Sequence, residues 1–151
     1  MVVSIANNKT LVRRYIDEVW NQGKPALPFF APHYRRYLGA TAPPLTGMEQ
    51  QQRIAGFRAA FPDLHFTLAD MVAEGDRVVF RATMHGTHRG VFQGITPTGM
   101  GIMVVVLDVV RIEAGVFAEQ WGGPNLWELL EQIGAGSAAE EQDEQRSHSN
   151  D

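Results

Sequence analysis

The chain has 151 residues, 44% of them hydrophobic and 20% charged, enough for one hydrophobic core and ordinary for a globular protein. It contains no cysteine, which excludes disulfides, thiolate zinc sites, iron–sulfur clusters and a cysteine nucleophile, and fits a cytoplasmic protein. The formal charge of −4 resides in the stretch from Ala135, where Glu140, Glu141, Asp143, Glu144 and Asp151 face only Arg146, so the body carries 12 acids and 12 bases and offers no electrostatic case for nucleic acid or an anionic membrane.

No apolar run approaches the roughly 18 residues of a membrane span, and the N-terminus lacks the charged-then-apolar pattern of a signal peptide. Residues 135–151 are polar and free of aromatic side chains, which predicts a disordered acidic tail behind a single domain over 1–134.

Asn7 and Asn8 precede Leu11, Val12, Tyr15, Ile16, Val19 and Trp20 at helical spacing, and Gly23 with Pro25 closes that helix. A short second helix over Ala26 to Phe30 and a strand over His33 to Leu38 follow. Thr46, with Glu49 three residues on, predicts a capping box opening a helix to about Ala60, its apolar face set by Met48, Ile54 and Phe57. Beyond Pro62 the pattern changes to strands: Leu64 to Ala73, Arg77 to His88, Met100 to Glu113 and Val116 to Trp121, then an amphipathic segment from Asn125 to Ile133. Helices first and an antiparallel sheet afterwards predict an α+β architecture. From Ile102 to Val110 both alternating faces are apolar except at Asp108. An antiparallel strand normally wets one face, so the second face predicts a homodimer packed through the sheet.

Four segments in this order resemble the SnoaL-like polyketide cyclase family of the NTF2-like superfold. They are Arg13-Arg14-Tyr15 with Glu18 to Gly23; Ala59 to Leu64; Gly75 to Val79 with Gly86 to Ile95 and Pro97-Thr98-Gly99; and Arg111-Ile112-Glu113 through Glu119-Gln120-Trp121 to Leu129 to Gly134. The resemblance implies a cone-shaped α+β barrel, its curved antiparallel sheet wrapped by N-terminal helices around an apolar pocket. It also implies an enzyme acting on polycyclic aromatic polyketides, without a metal or bound organic cofactor. Known members close a ring by intramolecular aldol condensation, and relatives take part in hydroxylation, which would draw on a separate reductase.

The cyclases resembled here use an aspartate shortly after the tryptophan of the last strand as general acid/base. This chain reads Trp121-Gly122-Gly123-Pro124-Asn125, and an amide does not titrate usefully. Asn125 is therefore expected to hydrogen-bond the substrate, and hydroxylation of an anthracycline-type intermediate becomes the leading reaction. Aldol cyclisation and non-catalytic binding of planar apolar ligands stand as alternatives. Asp108, alone in an apolar strand, is the other catalytic candidate, either as a base raised by burial or as the partner of Arg81 or Arg111. Trp121, Trp20, His33, Tyr37, Arg81 and His85 are the candidate substrate-binding residues, the tryptophans because indole offers a broad apolar face. Asp63 and His88 are expected to order their loops. Gly122-Gly123 suits either close substrate approach or a simple turn.

Overall fold

The computed structural model describes residues 4–134; the expected acidic tail lies outside the described residues. Helix α1 (Ile5–Tyr15) begins where Ser4 accepts a hydrogen bond from the Asn7 amide, ahead of the Asn7/Asn8 start read from the sequence. It continues as a π-helical turn, Ile16–Asn21, and stops at Gly23, whose φ of +74° suits glycine. A 3₁₀ turn (Leu27–Phe29) leads into β1 (Phe30–Tyr37). Helix α2 (Gly47–Ala60) carries the expected Thr46/Glu49 capping box. Strands β2 (His65–Glu74), β3 (Arg77–Thr87), β4 (Gly101–Glu113) and β5 (Val116–Pro124) precede α3 (Leu126–Gln132).

The five strands form one sheet in the order β1-β5-β4-β3-β2. Its pairs are antiparallel except for β1, which returns parallel to β5, so the sheet is mixed where the sequence pattern suggested antiparallel pairing throughout. Side-chain amides satisfy backbone groups that no strand partner reaches. Asn21 exchanges two bonds with the Phe66 backbone of edge strand β2. Gln132 does the same for Met103, on the part of β4 that extends past β5.

Strict alternation on β4 divides the sheet into two faces. Ile102, Val104, Val106, Asp108, Val110 and Ile112 point inward and are buried. Met103, Val105 and Leu107 point outward and are 60%, 42% and 53% exposed, so nothing among the described residues covers the second apolar face of this strand. Aromatic rings crowd the inner face at both ends of the sheet. Trp20 stacks on Phe66 at 4.4 Å and meets Phe57 edge-on at one end, and Tyr15, Phe29 and Phe117 cluster at the other. The register sets Asp108 midway between these clusters, in the row Met71–Phe80–Asp108–Gly122.

A buried polar centre and the candidate active site

Burying one carboxylate among apolar side chains demands a partner, and the partner comes from β1. Tyr34 and Arg36 occupy the inward positions of that strand while Arg35 and Tyr37 face away. Arg36 Nη2 donates to Asp108 Oδ1 at 2.8 Å and to the Gly122 carbonyl at 2.6 Å. Gln120 Nε2, on the intervening β5, donates to Asp108 Oδ2 at 3.3 Å, and Tyr34 Oη donates to Gln120 Oε1 at 2.6 Å. The ion pair is thus made across three strands with Arg36, whereas the sequence pointed to Arg81 or Arg111. Those two arginines lie outside the inner face. Arg81 pairs with Asp70 and Arg111 with Glu119.

The helices complete this centre from above. Tyr15, the last residue of α1, lies against Gln50 and feels the charges of Arg36 and Asp108. Gln50 and Arg53 stand three residues apart on one face of α2, and Arg53 Nη1 reaches Gln50 Oε1 at 3.5 Å. The buried face of α2 therefore includes Gln50, while Met48, expected there, is exposed. Burial pushes the Asp108 carboxyl up from its ordinary value, and the adjoining Arg36 works against that. Burial is the strongest influence on Arg36 and works against its charge, but Asp108 together with the Tyr34 and Tyr15 hydroxyls outweighs it and keeps the guanidinium protonated. The Tyr34 and Tyr15 hydroxyls are pushed up, mainly by burial. Burial and the neighbouring Arg36 charge bring Arg53 down to about 10.

Gly122 and Gly123 lie within β5 and do not form a simple turn. A Cβ on Gly122 would lie 2.1 Å from the Leu107 carbonyl oxygen, and one on Gly123 2.9 Å from Arg36 Nη2 and 3.4 Å from Arg53 Nη2. Both have positive φ, +91° and +137°. Gly122 lets β5 press against the β4 backbone at Leu107, and Gly123 lets the strand end pass close over the Arg36 and Arg53 guanidiniums.

The other expected site residues lie elsewhere. Asn125 caps α3, its side-chain oxygen accepting from the Glu128 amide at 3.2 Å, three residues along from the Gly122 that faces Asp108. Trp20 belongs to the core stack. Tyr37 and Trp121 are register partners on the outer face, stacked at 5.4 Å, with the Arg77 guanidinium 5.9 Å from the indole. They share an open groove of about 420 Å³ with Leu38, Gly39, Ala40 and Gly122, and Gly122 is the link between that groove and the buried centre. His85 and Arg81 also point outward, on β3. His33 is exposed and bonds Glu113 at 2.8 Å. The structure brings Tyr37 and Trp121 together, but it does not gather them, or the other substrate-binding candidates, around Asp108. Asp63 binds the Thr87 amide and hydroxyl, each at 2.7 Å. Buried His88 receives the Thr98 amide on Nδ1, ordering the segment before β4.

Sequence reasoning missed Tyr15, Tyr34, Arg36, Gln50, Arg53 and Gln120. One signal was available: Tyr34 and Arg36 share a strand face, and Asp108 required a cation. The choice among arginines needed the strand order, which local periodicity does not carry.

A mixed sheet wrapped by helices, with a polar centre on its concave side, is the NTF2-like α+β fold. The chain belongs to the SnoaL-like polyketide cyclase family, whose model matches residues 10–133. Among solved structures it is similar to AclR, a proposed hydroxylase from Streptomyces galilaeus, at 28% identity and a TM-score of 0.79 over 87% of this chain and 98% of that one. TsrD from Streptomyces laurentii is 30% identical with a TM-score of 0.77, over 89% and 99% of the two chains. IdmH from Streptomyces antibioticus, a proposed polyketide cyclase, is 27% identical with a TM-score of 0.72, over 84% and 98%. Comparison with curated proteins finds no match.

Proposed function

We propose that the protein hydroxylates a polycyclic aromatic polyketide of the anthracycline type, with the inner-face centre holding the polar end of the substrate. The observation that carries this reading is Asn125. The position where the resembled cyclases carry a proton-transferring acid is here a helix cap, its amide oxygen engaged by the Glu128 amide. Hydroxylation does not require that acid. An electron-rich hydroxylated ring reacts with dioxygen: one oxygen atom is inserted at a ring C–H to give the C–OH, the other leaves as water, a separate reductase supplies two electrons and solvent supplies two protons. Similarity to AclR supports the same reading.

Aldol ring closure is the second reading, favoured by one observation. Asp108 is the single carboxylate among the buried residues described, and burial raises its proton affinity, as a general base near neutrality requires. Incubation of the protein with an anthraquinone-type polyketide, as the ester and as the free acid, with and without labelled dioxygen and a reductant, separates the two. Incorporation of the label supports hydroxylation. Conversion to a ring-closed isomer without dioxygen overturns it in favour of Asp108-driven cyclisation.

The outer face supports a homodimer. Val72, Val79, Met103, Val105 and Leu107 form an exposed apolar surface over β2, β3 and β4, of the kind that marks an interaction site, and a second copy offers the same surface in return. Sedimentation at micromolar concentration is expected to give a dimer that Leu107→Glu dissociates; a wild-type monomer would refute the pairing.

A further inference from the structure

Among the described residues, three buried polar atoms in the centre make no hydrogen bond of good geometry: Tyr15 Oη, Arg36 Nε and Gln50 Nε2, although the Gln50 side chain lies beside the Tyr15 hydroxyl. The side chains that bear them are fully or almost fully buried. Such orphans are uncommon, because each forfeits the bonds it made to water. Here all three can donate, and two can do nothing else. They lie among two guanidiniums, Arg36 and Arg53, that meet over Gly123 and share one carboxylate, Asp108. Among the described residues the centre therefore has one positive charge in excess and donors without acceptors. Water could satisfy the donors but not the charge.

We infer that this centre binds the free carboxylate of its substrate, so that the polyketide is taken as the acid rather than as its ester. This rests on the proposed function for the ring system, and adds the group by which the ring is held. A carboxylate neutralises the excess charge, and its two oxygens offer enough lone pairs for the three orphans and a free Arg53 N–H. A phenolate has one oxygen and leaves donors unmatched. Arg53, half-buried beside the exposed Gly122 end of β5, is the member of the centre nearest solvent and the first cation an entering carboxylate meets. Its guanidinium, disfavoured by burial and by Arg36, gains a partner when the anion binds.

The test compares anthraquinone-2-carboxylic acid with its methyl ester, titrated against the full chain by tryptophan fluorescence. A charge-assisted hydrogen bond contributes about 1.5–3 kcal/mol, so the acid is expected to bind at least about tenfold more tightly. Arg53→Gln should weaken the acid far more than the ester and so remove the acid's preference, and Arg53→Lys should retain part of it. Equal affinities in the wild type, or an equal Arg53→Gln loss for both ligands, overturns the inference while leaving the tailoring function standing. Should neither ligand bind, the inference falls together with the placement of the ring-binding site. If Arg53→Gln proves unfolded by circular dichroism, the wild-type acid-to-ester ratio decides alone.

Discussion

Two arginine–aspartate pairs bridge strands of the same sheet, on opposite faces. Arg81 and Asp70 have the better geometry: Arg81 Nε and Nη2 each donate to a separate carboxylate oxygen at 3.1 Å. Arg36 and Asp108 make a single contact at 2.8 Å, and Arg36 spends the same nitrogen on the Gly122 carbonyl. Geometry alone would rank the outer pair higher, but water reverses the order. Both members of the outer pair have more than half of their side chains exposed, so the attraction is screened and each partner is solvated when alone. The inner pair has almost no water, so each charge depends on the other, and polar atoms that would be harmless outside become unmet demands. A buried pair is weak evidence for stability as such. Its retention beside three orphaned donors points to chemistry.

The largest effect is expected at Asp108. Asp108→Asn leaves Arg36 charged and uncompensated in the interior, which should lower stability by about 3 kcal/mol or more, read by denaturant melts, and should abolish turnover if Asp108 is the base. Replacing both partners, Arg36→Met with Asp108→Leu, should recover much of that stability, because two apolar side chains impose no desolvation penalty. Recovery of folding without recovery of ligand binding would separate the functional role from the structural one. Gly122→Ala comes next. Its Cβ would run into the Leu107 carbonyl at a φ of +91°, so about 2 kcal/mol or more should be lost, again by denaturant melts.

The contrast between the faces also explains how much could be seen in the sequence. Helix ends depend on residues close together in the chain, so the Thr46/Glu49 box and the stop at Gly23 were legible. The alternation of β4 marked Asp108 as anomalous. Its partner was not legible, because Arg36 lies 72 positions away and reaches Asp108 only because β1 returns parallel to β5. The outward placement of Trp121 was not legible for a related reason. Its neighbour Gln120 points inward, so pairing with Val109 sends the indole outward, to stack on Tyr37. Asn125 appeared as a vacancy in a catalytic pattern, and the structure shows the local signal that competes with that view: an Asn three residues before Glu128, opening a helix.

That competition gives a smaller prediction. Asn125→Ala removes a cap and should cost about 1 kcal/mol, whereas Asn125→Asp, an equally good cap, should leave the melting midpoint unchanged. A loss of ligand binding in Asn125→Ala beyond that stability change would return Asn125 to the substrate site.

Two carboxylates should also show opposite responses to pH. The Thr87 hydroxyl and amide hold Asp63 below its ordinary value, so its contribution to stability is present above the unfolded-state pKa and is lost as pH falls through the lower folded value. Burial holds Asp108 above its ordinary value. The folded state then binds that proton more tightly than the unfolded chain, and the contribution declines as pH rises from the unfolded-state value to the raised one. Comparing melts of Asp63→Asn and Asp108→Asn with wild type across the acid range should remove slopes of opposite sign.

The smallest expected effect is the most exacting test of the comparison. Asp70→Asn and Arg81→Ala break the better-shaped pair, yet in solvent neither should change the melting midpoint measurably, in low salt or high. Arg81 sits in register with Leu107, on the apolar face assigned to a second copy. A clear loss on Arg81→Ala that depends on protein concentration would therefore mean that dimerisation dries the pair, placing it under the same rule as Arg36 and Asp108. A loss independent of concentration would contradict the principle itself, because a solvated pair would then be as indispensable as a buried one.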